Sequence, residues 1–396
     1  MLKPTIGAIL LIIGTAIGAG MIALPVITSK IGFVPSIALL FIVWYAMYLS
    51  SLLMLEANLS LNSGANIISM AKHHLGVTGE TLAWTVYLLL LYVLNIAYLS
   101  SISDLFQLAT NNILHIHVYK WLSLLILACV FTTILTMGAK TIDRINRVLM
   151  VIMVVSFIFM IACFAPNINT KLLLSHSNHG FAFALPAIVT SFGYQIIIPS
   201  LRKYLKSNTI QIKKVIFLGS ITIFVIYLLW QFLIFGIIPR TGQHSLISLL
   251  ESARAIDLSQ TIAVIIKNDK IKLLIEILTF ALISTSFIGG SMSLFDFLAD
   301  GFALKKINIG RLPSALLTFT PPLIFILTIN KGFYEILGYG GILVAILLCL
   351  FPAAMVIAMR NKQQTSQTEK NRIVSTGGII FVILFAITVI AAELFS

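Results

Sequence analysis

Runs of apolar residues, each about 20 residues long, recur along nearly the whole chain, and this recurrence restricts the folds open to it. A helix of about 20 residues crosses the hydrocarbon core of a bilayer, and in that core only helices and closed barrels pair all their backbone polar groups. The composition agrees, since 59% of the residues are hydrophobic and 10% are charged, which leaves no material for a sizeable aqueous domain. The sequence therefore predicts an all-α integral membrane protein.

Polar residues divide the apolar runs into eleven predicted transmembrane spans. Their predicted bounds are 5–28, 33–58, 82–108, 119–138, 145–165, 181–200, 214–238, 272–297, 312–329, 333–355 and 375–394. The first run is too long for the apolar core of a signal peptide, so it is predicted to be a permanent span. Most of the chain is thus expected to contact the lipid bilayer.

The net charge of +13 comes from Lys and Arg residues that cluster in alternate loops. With a cytoplasmic N-terminus, most of the 26 basic residues fall in inner segments, including Arg144, Lys203, Lys305 and Arg360. The positive-inside rule then predicts a cytoplasmic N-terminus and, after eleven spans, an external C-terminus. Because topology accounts for the basic surplus, no nucleic-acid partner is predicted.

The longest outer loop, residues 239–271, has an amphipathic pattern of its own. Leu246, Leu249, Leu250, Ala253 and Ile256 recur at helical spacing, which predicts one helix on the outer face. Two roles fit this pattern equally, an interfacial anchor and a lid over an outer vestibule.

Two of the spans contain clusters of poor helix formers. Span 1 has GTAIGAG at Gly14–Gly20, and span 6 has TSFGYQ at Thr190–Gln195, between Pro186 and Pro199. Gly14 and Gly18 alone would also fit a GxxxG packing face. Interrupted segments at matching positions of two five-span halves indicate an inverted-repeat secondary transporter with a site between the breaks. The predicted units are residues 1–166 (spans 1–5), residues 181–355 (spans 6–10) and one additional helix at 375–394.

A break in span 1 exposes backbone groups of both signs. The half-helix that begins near Ala19, Gly20 and Met21 presents unpaired N–H groups and a positive dipole end, which suit a carboxylate. The half that ends near Thr15 and Ala16 presents carbonyl groups, which suit an ammonium or a metal cation. A zwitterionic amino acid matches both ends.

Four segments carry a resemblance to a known family. They are GTAIGAGMIALP in span 1, LLMLE ending at Glu56, AKHHLG at 71–76 and TSFGYQIIIPSLRKY at 190–204. The chain resembles the hydroxy and aromatic amino acid permeases, which include tyrosine- and tryptophan-specific transporters of the amino acid-polyamine-organocation superfamily. One departure is Gln195, where many members have histidine.

This resemblance implies a five-plus-five inverted repeat of the LeuT-like fold, with spans 1 and 6 broken and an eleventh helix added. It implies proton-coupled import of an aromatic L-amino acid, tyrosine ahead of tryptophan, across the bacterial inner membrane. The substrate-binding residues that it implies come from both breaks and from span 3: Thr15, Gly18, Ala19, Gly20, Tyr92, Asn95, Tyr98, Ser191, Phe192, Gly193 and Tyr194. Tyrosines in membrane helices also serve as plain packing residues, which is the alternative for span 3.

The coupling ion has two candidates. All seven histidines are predicted in loops and the acidic residues lie near span ends, so no mid-membrane proton carrier, metal centre or cofactor site is predicted. The family resemblance implies protons, whereas sodium-coupled relatives of the wider fold bind the cation at positions corresponding to Gly14, Ile17, Thr285 and Ser286. These hydroxyls would alternatively only satisfy carbonyls of their own helix.

Because every histidine is predicted in a loop, the sequence also argues against an intramembrane enzyme, and no catalytic residues are predicted. A sodium-coupled symporter of the same fold and a non-transporting amino acid sensor remain as the alternative functions.

Overall fold

The structure is a computed structural model that describes residues 4–137, 139–177, 179–302, 312–329, 331–362 and 372–395, apart from the side chains of residues 113, 139, 140 and 269. Five basic residues that support the predicted orientation, Lys3, Lys305, Lys306, Arg311 and Lys370, lie outside the described residues.

The described chain is built from α-helices joined by short turns and 3-10 or π segments. The α-helices are α1 Pro4–Ala16, α2 Ala19–Ile27, α3 Phe33–Leu59, α4 Ile67–Ala109, α5 Lys120–Thr136, α6 Ala139–Phe164, α7 Phe181–Ser191, α8 Ile198–Tyr204, α9 Thr209–Ile237, α10 Leu246–Ser252, α11 Asp257–Ile266, α12 Asp269–Gly301, α13 Leu312–Thr328, α14 Phe333–Val344, α15 Phe351–Lys362 and α16 Thr376–Leu394.

Among the described residues, eight helices or helical runs are long and apolar enough to cross a membrane. The bent pair of α1 and the helical segment at 19–30 raises this number to nine. The predicted spans 4 and 9 correspond to α5 and α13, which are apolar but have 17 residues each. The count of eleven therefore depends on including these two shorter helices.

Side-chain caps account for several helix starts. Asn66, Asn208 and Ser375 accept hydrogen bonds from backbone N–H groups in the first turns of α4, α9 and α16. The helix that contains predicted span 3 extends upstream of residue 82, because α4 begins at Ile67 and includes a kink at Gly76, whose φ of 78° favours glycine.

The upstream part of α4 contains two histidines that were predicted to lie in a loop. His73 and His74 lie in the first part of α4 and not in a loop. The His74 side chain is buried, and its Nε2 atom lies 3.0 Å from Ser60 Oγ at the end of α3. The prediction that every histidine lies in a loop was therefore wrong for this pair.

The segment after α9, residues 239–271, forms two helices and not the predicted one. Helix α10 ends at Ser252, and Ala253 adopts a left-handed conformation with φ of 58°. The Ala253 carbonyl then accepts a 3.0 Å hydrogen bond from the Phe333 N–H at the start of α14. Pairing with α14 thus breaks the predicted continuous helix, and α11 begins after the turn.

The structure confirms the interruption of span 1. Helix α1 ends at Ala16, α2 begins at Ala19, and the two axes differ by 55°. The intervening residues, Ile17 and Gly18, leave the helical conformation, with Gly18 extended at φ −170° and ψ −147°. The break falls within the predicted GTAIGAG segment.

The structure also confirms an interruption of span 6, but of another kind. Helix α7 ends at Ser191, a 3-10 turn covers Tyr194–Ile197, and α8 follows directly. These pieces form one continuous candidate span, residues 181–204, which is not bent as sharply as span 1.

The helices around the breaks form one bundle. Helix α12 packs against α4 and α6, α14 packs against α4 and α7, and α9 packs against α1 and α3. The two breaks consequently face each other in the interior, and α2 contacts α7.

Candidate functional site

A cavity of about 360 Å³ lies between the two broken helices, and we call it the central cavity. Its walls come from the two breaks and from α4, α6, α12 and α14. Thr15 and Ser293 are exposed at one end of the lining, whereas Gly20 and Ser191 are buried at the other. The cavity therefore opens toward the α1 side of the span 1 break and is closed beyond α2.

The N-terminus of α2 is partly paired with α12. The Ala19 N–H donates a 3.1 Å hydrogen bond to Ser286 Oγ. Gly20 packs so closely on α7 that a Cβ atom there would lie 2.7 Å from Ser191 Oγ. Of the three N–H groups expected to receive a carboxylate, that of Ala19 is thus already paired with a hydroxyl of the cavity wall, and that of Met21 donates a 3.0 Å hydrogen bond to the Gly18 carbonyl.

The C-terminal ends of α1 and α7 share one partner, Tyr227 of α9. Its hydroxyl oxygen lies 2.7 Å from the Ala16 carbonyl and 2.8 Å from the Ser191 carbonyl, so its single hydrogen is shared between them. Helix breaks leave such carbonyls without intrahelical partners. Tyr227 therefore ties the two breaks together, and the Ala16 carbonyl faces this hydroxyl.

Seven of the eleven predicted substrate-binding residues line the central cavity. They are Thr15, Gly18, Ala19, Gly20, Tyr98, Ser191 and Gly193. The backbone of the span 1 break supplies most of them, because the bent chain runs along the cavity wall.

Two predicted residues of span 3 are engaged elsewhere. The Tyr92 hydroxyl donates a 2.8 Å hydrogen bond to the Leu317 carbonyl of α13. Asn95 is fully buried, donates to the Leu91 carbonyl at 2.8 Å and accepts from Ser291 Oγ at 2.6 Å. Asn95 thus joins α4 to α12 next to the cavity, and neither side chain belongs to its lining.

Two predicted residues of the span 6 break also lie outside the lining. The Phe192 ring is buried and packs edge-on against Tyr227, with centroids 5.1 Å apart. The Tyr194 ring is buried as well, and its hydroxyl lies 3.4 Å from Ser51 Oγ of α3. Their side chains point into the surrounding helices.

Several lining residues were not predicted from the sequence. Tyr87, Asn146, Met150, Gly289 and Gly290 contribute to the walls from α4, α6 and α12. The Asn146 Oδ1 atom is buried without a hydrogen-bond partner among the described residues. An amide in an apolar span and a Gly-Gly pair after a Ser-Thr-Ser run were the available signals.

The four residues of the predicted sodium site, Gly14, Ile17, Thr285 and Ser286, all line the central cavity. The Thr285 and Ser286 hydroxyls each donate a 3.0 Å hydrogen bond to the Leu282 carbonyl, which leaves oxygen lone pairs available. None of the described side chains in the lining belongs to Asp, Glu, His, Lys or Arg. The polar wall therefore consists of hydroxyl, amide and backbone groups.

Comparisons with known proteins identify a family for this chain. Residues 1–393 match the profile of the tryptophan/tyrosine permease family. The chain is 31% identical over 401 residues to a tryptophan-specific transport protein of Haemophilus influenzae, covering 98% of this chain and 95% of that protein. It is 31% identical over 360 residues to tyrosine-specific transport system 1 of the same organism, covering 90% and 88% respectively.

A solved structure shares the fold. The nucleobase-cation-symport-1 transporter Mhp1, in a closed conformation with bromovinylhydantoin bound, matches with a TM-score of 0.64 at 10% sequence identity. The match covers 99% of this chain and 90% of that one. The helical arrangement of this chain is therefore similar to that of Mhp1.

Proposed function

Since the chain belongs to the tryptophan/tyrosine permease family, we propose that it is a symporter that brings an aromatic amino acid into the cytoplasm. As a multi-pass membrane protein of this family, it is a transport protein and not an enzyme. The observation that carries the proposal is the central cavity, whose lining includes both helix breaks. Discontinuous helices at one cavity are the usual substrate site of such transporters.

The cavity chemistry supports a zwitterion with an aromatic side chain. Gly20 lies at the N-terminal end of α2, where amide groups and the helix dipole favour a carboxylate. Tyr87 and Tyr98 of α4 lie along the same wall and offer ring surfaces. Aromatic pairs contribute about 0.5–1.5 kcal/mol beyond burial, which favours an indole or phenol side chain.

The choice of aromatic substrate is a finer proposal. The family resemblance implies tyrosine ahead of tryptophan, but tryptophan transport proteins are prominent among the relatives. One relative is tryptophan-specific and the other tyrosine-specific at equal identity, but the tryptophan-specific protein aligns with more of this chain. We therefore place both substrates in the proposal, with tryptophan first.

The proposed topology has eleven spans in the bacterial inner membrane, with α5 and α13 included and the N-terminus inside. Residues 1–166 and 181–355 form the two inverted repeats, and 375–394 adds the last helix. In this orientation the central cavity opens to the cytoplasm, because its exposed end lies on the α1 side of the break. The structure would then correspond to an inward-facing state of an alternating-access cycle.

Protons are the first proposed coupling ion, as the family resemblance implies, and sodium is the second candidate. One observation favours sodium, namely the Thr285 and Ser286 oxygens beside Gly14 and Ile17 in a lining without carboxylates. Oxygen ligands suit a hard cation. With protons, the carrier has to lie outside the described cavity lining.

Uptake into proteoliposomes tests the substrate. Labelled tryptophan and tyrosine are each expected to accumulate above the external concentration when an ion gradient is imposed. Accumulation would exclude a channel and a non-transporting sensor. If neither amino acid accumulates or stabilises the purified protein against heat, the aromatic substrate class is wrong.

The coupling ion needs a separate experiment. Uptake at fixed pH with sodium replaced by choline is expected to be unchanged for a proton symporter and lost for a sodium symporter. A protonophore added while a sodium gradient is imposed should abolish uptake by a proton symporter and leave uptake by a sodium symporter unchanged.

A further inference from the structure

A second cavity lies on the other side of α12, and we call it the side cavity. Its volume is about 600 Å³, and its walls come from α4, α5, α6 and α12. Apolar side chains such as Leu105, Phe131, Leu149 and Ile288 make up nearly all of the lining. It shares no lining residue with the central cavity.

Two buried acceptor atoms face this apolar space. Glu276 Oε1 and Ser284 Oγ, both from α12, are buried and have no hydrogen-bond partner among the described residues. The Ser284 side chain is only 2% exposed. Unpaired buried polar atoms of this kind are costly, so a ligand that donates hydrogen bonds would relieve the cost.

The side cavity adjoins the outer surface of the bundle. Among its lining residues, Val130, Leu273, Ile277 and Phe280 are exposed on that surface, where the lipid chains of the bilayer would lie. A hydrophobic molecule dissolved in the bilayer can therefore reach the cavity laterally.

We propose that the side cavity binds an amphiphilic primary amine from the bilayer, with its ammonium group at Glu276 and its hydrocarbon chain along the apolar wall toward Ser284. The carboxylate and the ammonium are complementary in charge, and the remaining walls are hydrocarbon. Glu276 and Ser284 are eight positions apart, about 12 Å along α12, which leaves room for an extended alkyl chain.

Other bilayer molecules fit less well. Fatty acids and ester lipids without an amino head group present mainly acceptor oxygens, which cannot pair with a carboxylate. A zwitterionic amino acid would place its carboxylate beside Glu276 or in an apolar wall. Asn112, whose side chain is exposed, is among the residues that line the side cavity. Lys272, which lies one turn before Glu276 on α12, does not line the side cavity.

Occupancy of the side cavity should affect the central cavity, because α12 separates them by one helix. Ser284 faces the side cavity, while the next two residues, Thr285 and Ser286, line the central one. An amine held between α12 and α6 would oppose any movement of these helices past each other.

Thermal unfolding in nanodiscs of phosphatidylcholine, which has no primary amine, tests binding independently of transport. Octylamine is expected to raise the melting temperature of the wild-type protein, and octanol, which has the same chain without the charge, to leave it nearly unchanged. Glu276→Gln should weaken the apparent octylamine affinity about tenfold or more. Ile145→Trp, which narrows the side cavity with a larger side chain, should reduce the shift.

Two outcomes would overturn the proposal. One is an equal effect of octylamine and octanol on the wild-type protein. The other is an equal octylamine shift in wild type and in Glu276→Gln. If Glu276→Gln does not fold, Ile145→Trp carries the comparison, and an unchanged octylamine shift in this variant contradicts the proposal.

Discussion

The two helix breaks were predicted from the same kind of sequence signal, yet they differ in structure. The break between α1 and α2 bends the span by 55°, and its backbone lines the central cavity. The break between α7 and α8 is filled by a 3-10 turn within one continuous span, and Phe192, Tyr194 and Gln195 are fully buried there. The first break therefore offers backbone groups to a ligand, whereas the second mainly joins the surrounding helices.

This difference follows from the residues at each break. Around span 1, Gly18 and Gly20 permit close approach to Ser286 and Ser191, so the backbone itself becomes the cavity surface. At span 6, large side chains follow Ser191 and have to be buried somewhere, and they pack into α3 and α9. Small residues thus leave the backbone of the first break exposed to the cavity, whereas large side chains occupy the space around the second break.

The largest expected effect is that of Gly18→Ala. Its extended φ of −170° suits any residue, so the constraint is space, because a Cβ there would overlap the Ser286 hydroxyl. We expect uptake to fall about 100-fold, since misplacement by about 1 Å at a binding site can cost that much. The control is Gly289→Ala, which lines the same cavity and has nothing within 4 Å of the new Cβ.

Equal uptake rates for these two variants would contradict the close packing of the first break. The comparison requires that both proteins reach the membrane, which is checked by their amounts in purified membranes.

Tyr227→Phe should have the next largest effect, because this hydroxyl is the partner that both breaks share. Its loss leaves the Ala16 and Ser191 carbonyls without that buried donor. We expect the free energy of unfolding to fall by about 1–3 kcal/mol, measured by thermal unfolding. The matched control is Tyr204→Phe, whose side chain is exposed on α8; an equal loss in both would show that Tyr227 does not couple the breaks.

Much of the fold could be predicted from the sequence. Span bounds followed from apolar length, which the bilayer fixes, so α3, α14 and α16 begin within a residue of their predicted positions. The start of α4 could not be predicted in this way, because its first part, with His73 and His74, is too polar for that test. The interruption at Ala253, between α10 and α11, depends on a hydrogen bond from the distant residue Phe333, which no local sequence pattern reveals.

The candidate site was less predictable. Backbone residues of the first break fell in the cavity lining because a bend places consecutive residues on one wall. Three side chains predicted to bind the substrate point elsewhere. The Tyr92 hydroxyl donates to α13, and the rings of Phe192 and Tyr194, which follow a break, pack against other helices. Helical periodicity cannot be extended through a break, since the rotation between the two helices is set by packing.

Two serine substitutions, Ser286→Ala and Ser191→Ala, test the difference between the two breaks further. Ser286→Ala removes the acceptor of the Ala19 N–H at the first break, whereas Ser191→Ala removes only a 3.2 Å bond to the Ala187 carbonyl of its own helix. We expect Ser286→Ala to lower the free energy of unfolding by about 1 kcal/mol and Ser191→Ala by less than about 0.5 kcal/mol. Thermal unfolding of both variants checks this order.

The pair also reports on the coupling ion. If sodium binds at Ser286, Ser286→Ala should raise the sodium concentration needed for half-maximal uptake, and Ser191→Ala should not. If uptake by Ser286→Ala keeps the wild-type sodium and pH dependence, this hydroxyl does not take part in coupling.

The smallest effect is expected for Tyr194→Phe at the second break. The hydroxyl that it removes makes a long, 3.4 Å contact with Ser51 Oγ, while the ring, which fills the space beside α3, is kept. We expect a change in the free energy of unfolding below about 0.5 kcal/mol and no change in the preference between tryptophan and tyrosine, because the side chain is outside the central cavity. Competitive uptake of the two amino acids measures that preference. A clear shift in it would mean that the second break contributes a side chain to substrate recognition after all, and the distinction between an exposed and a filled break would then fail.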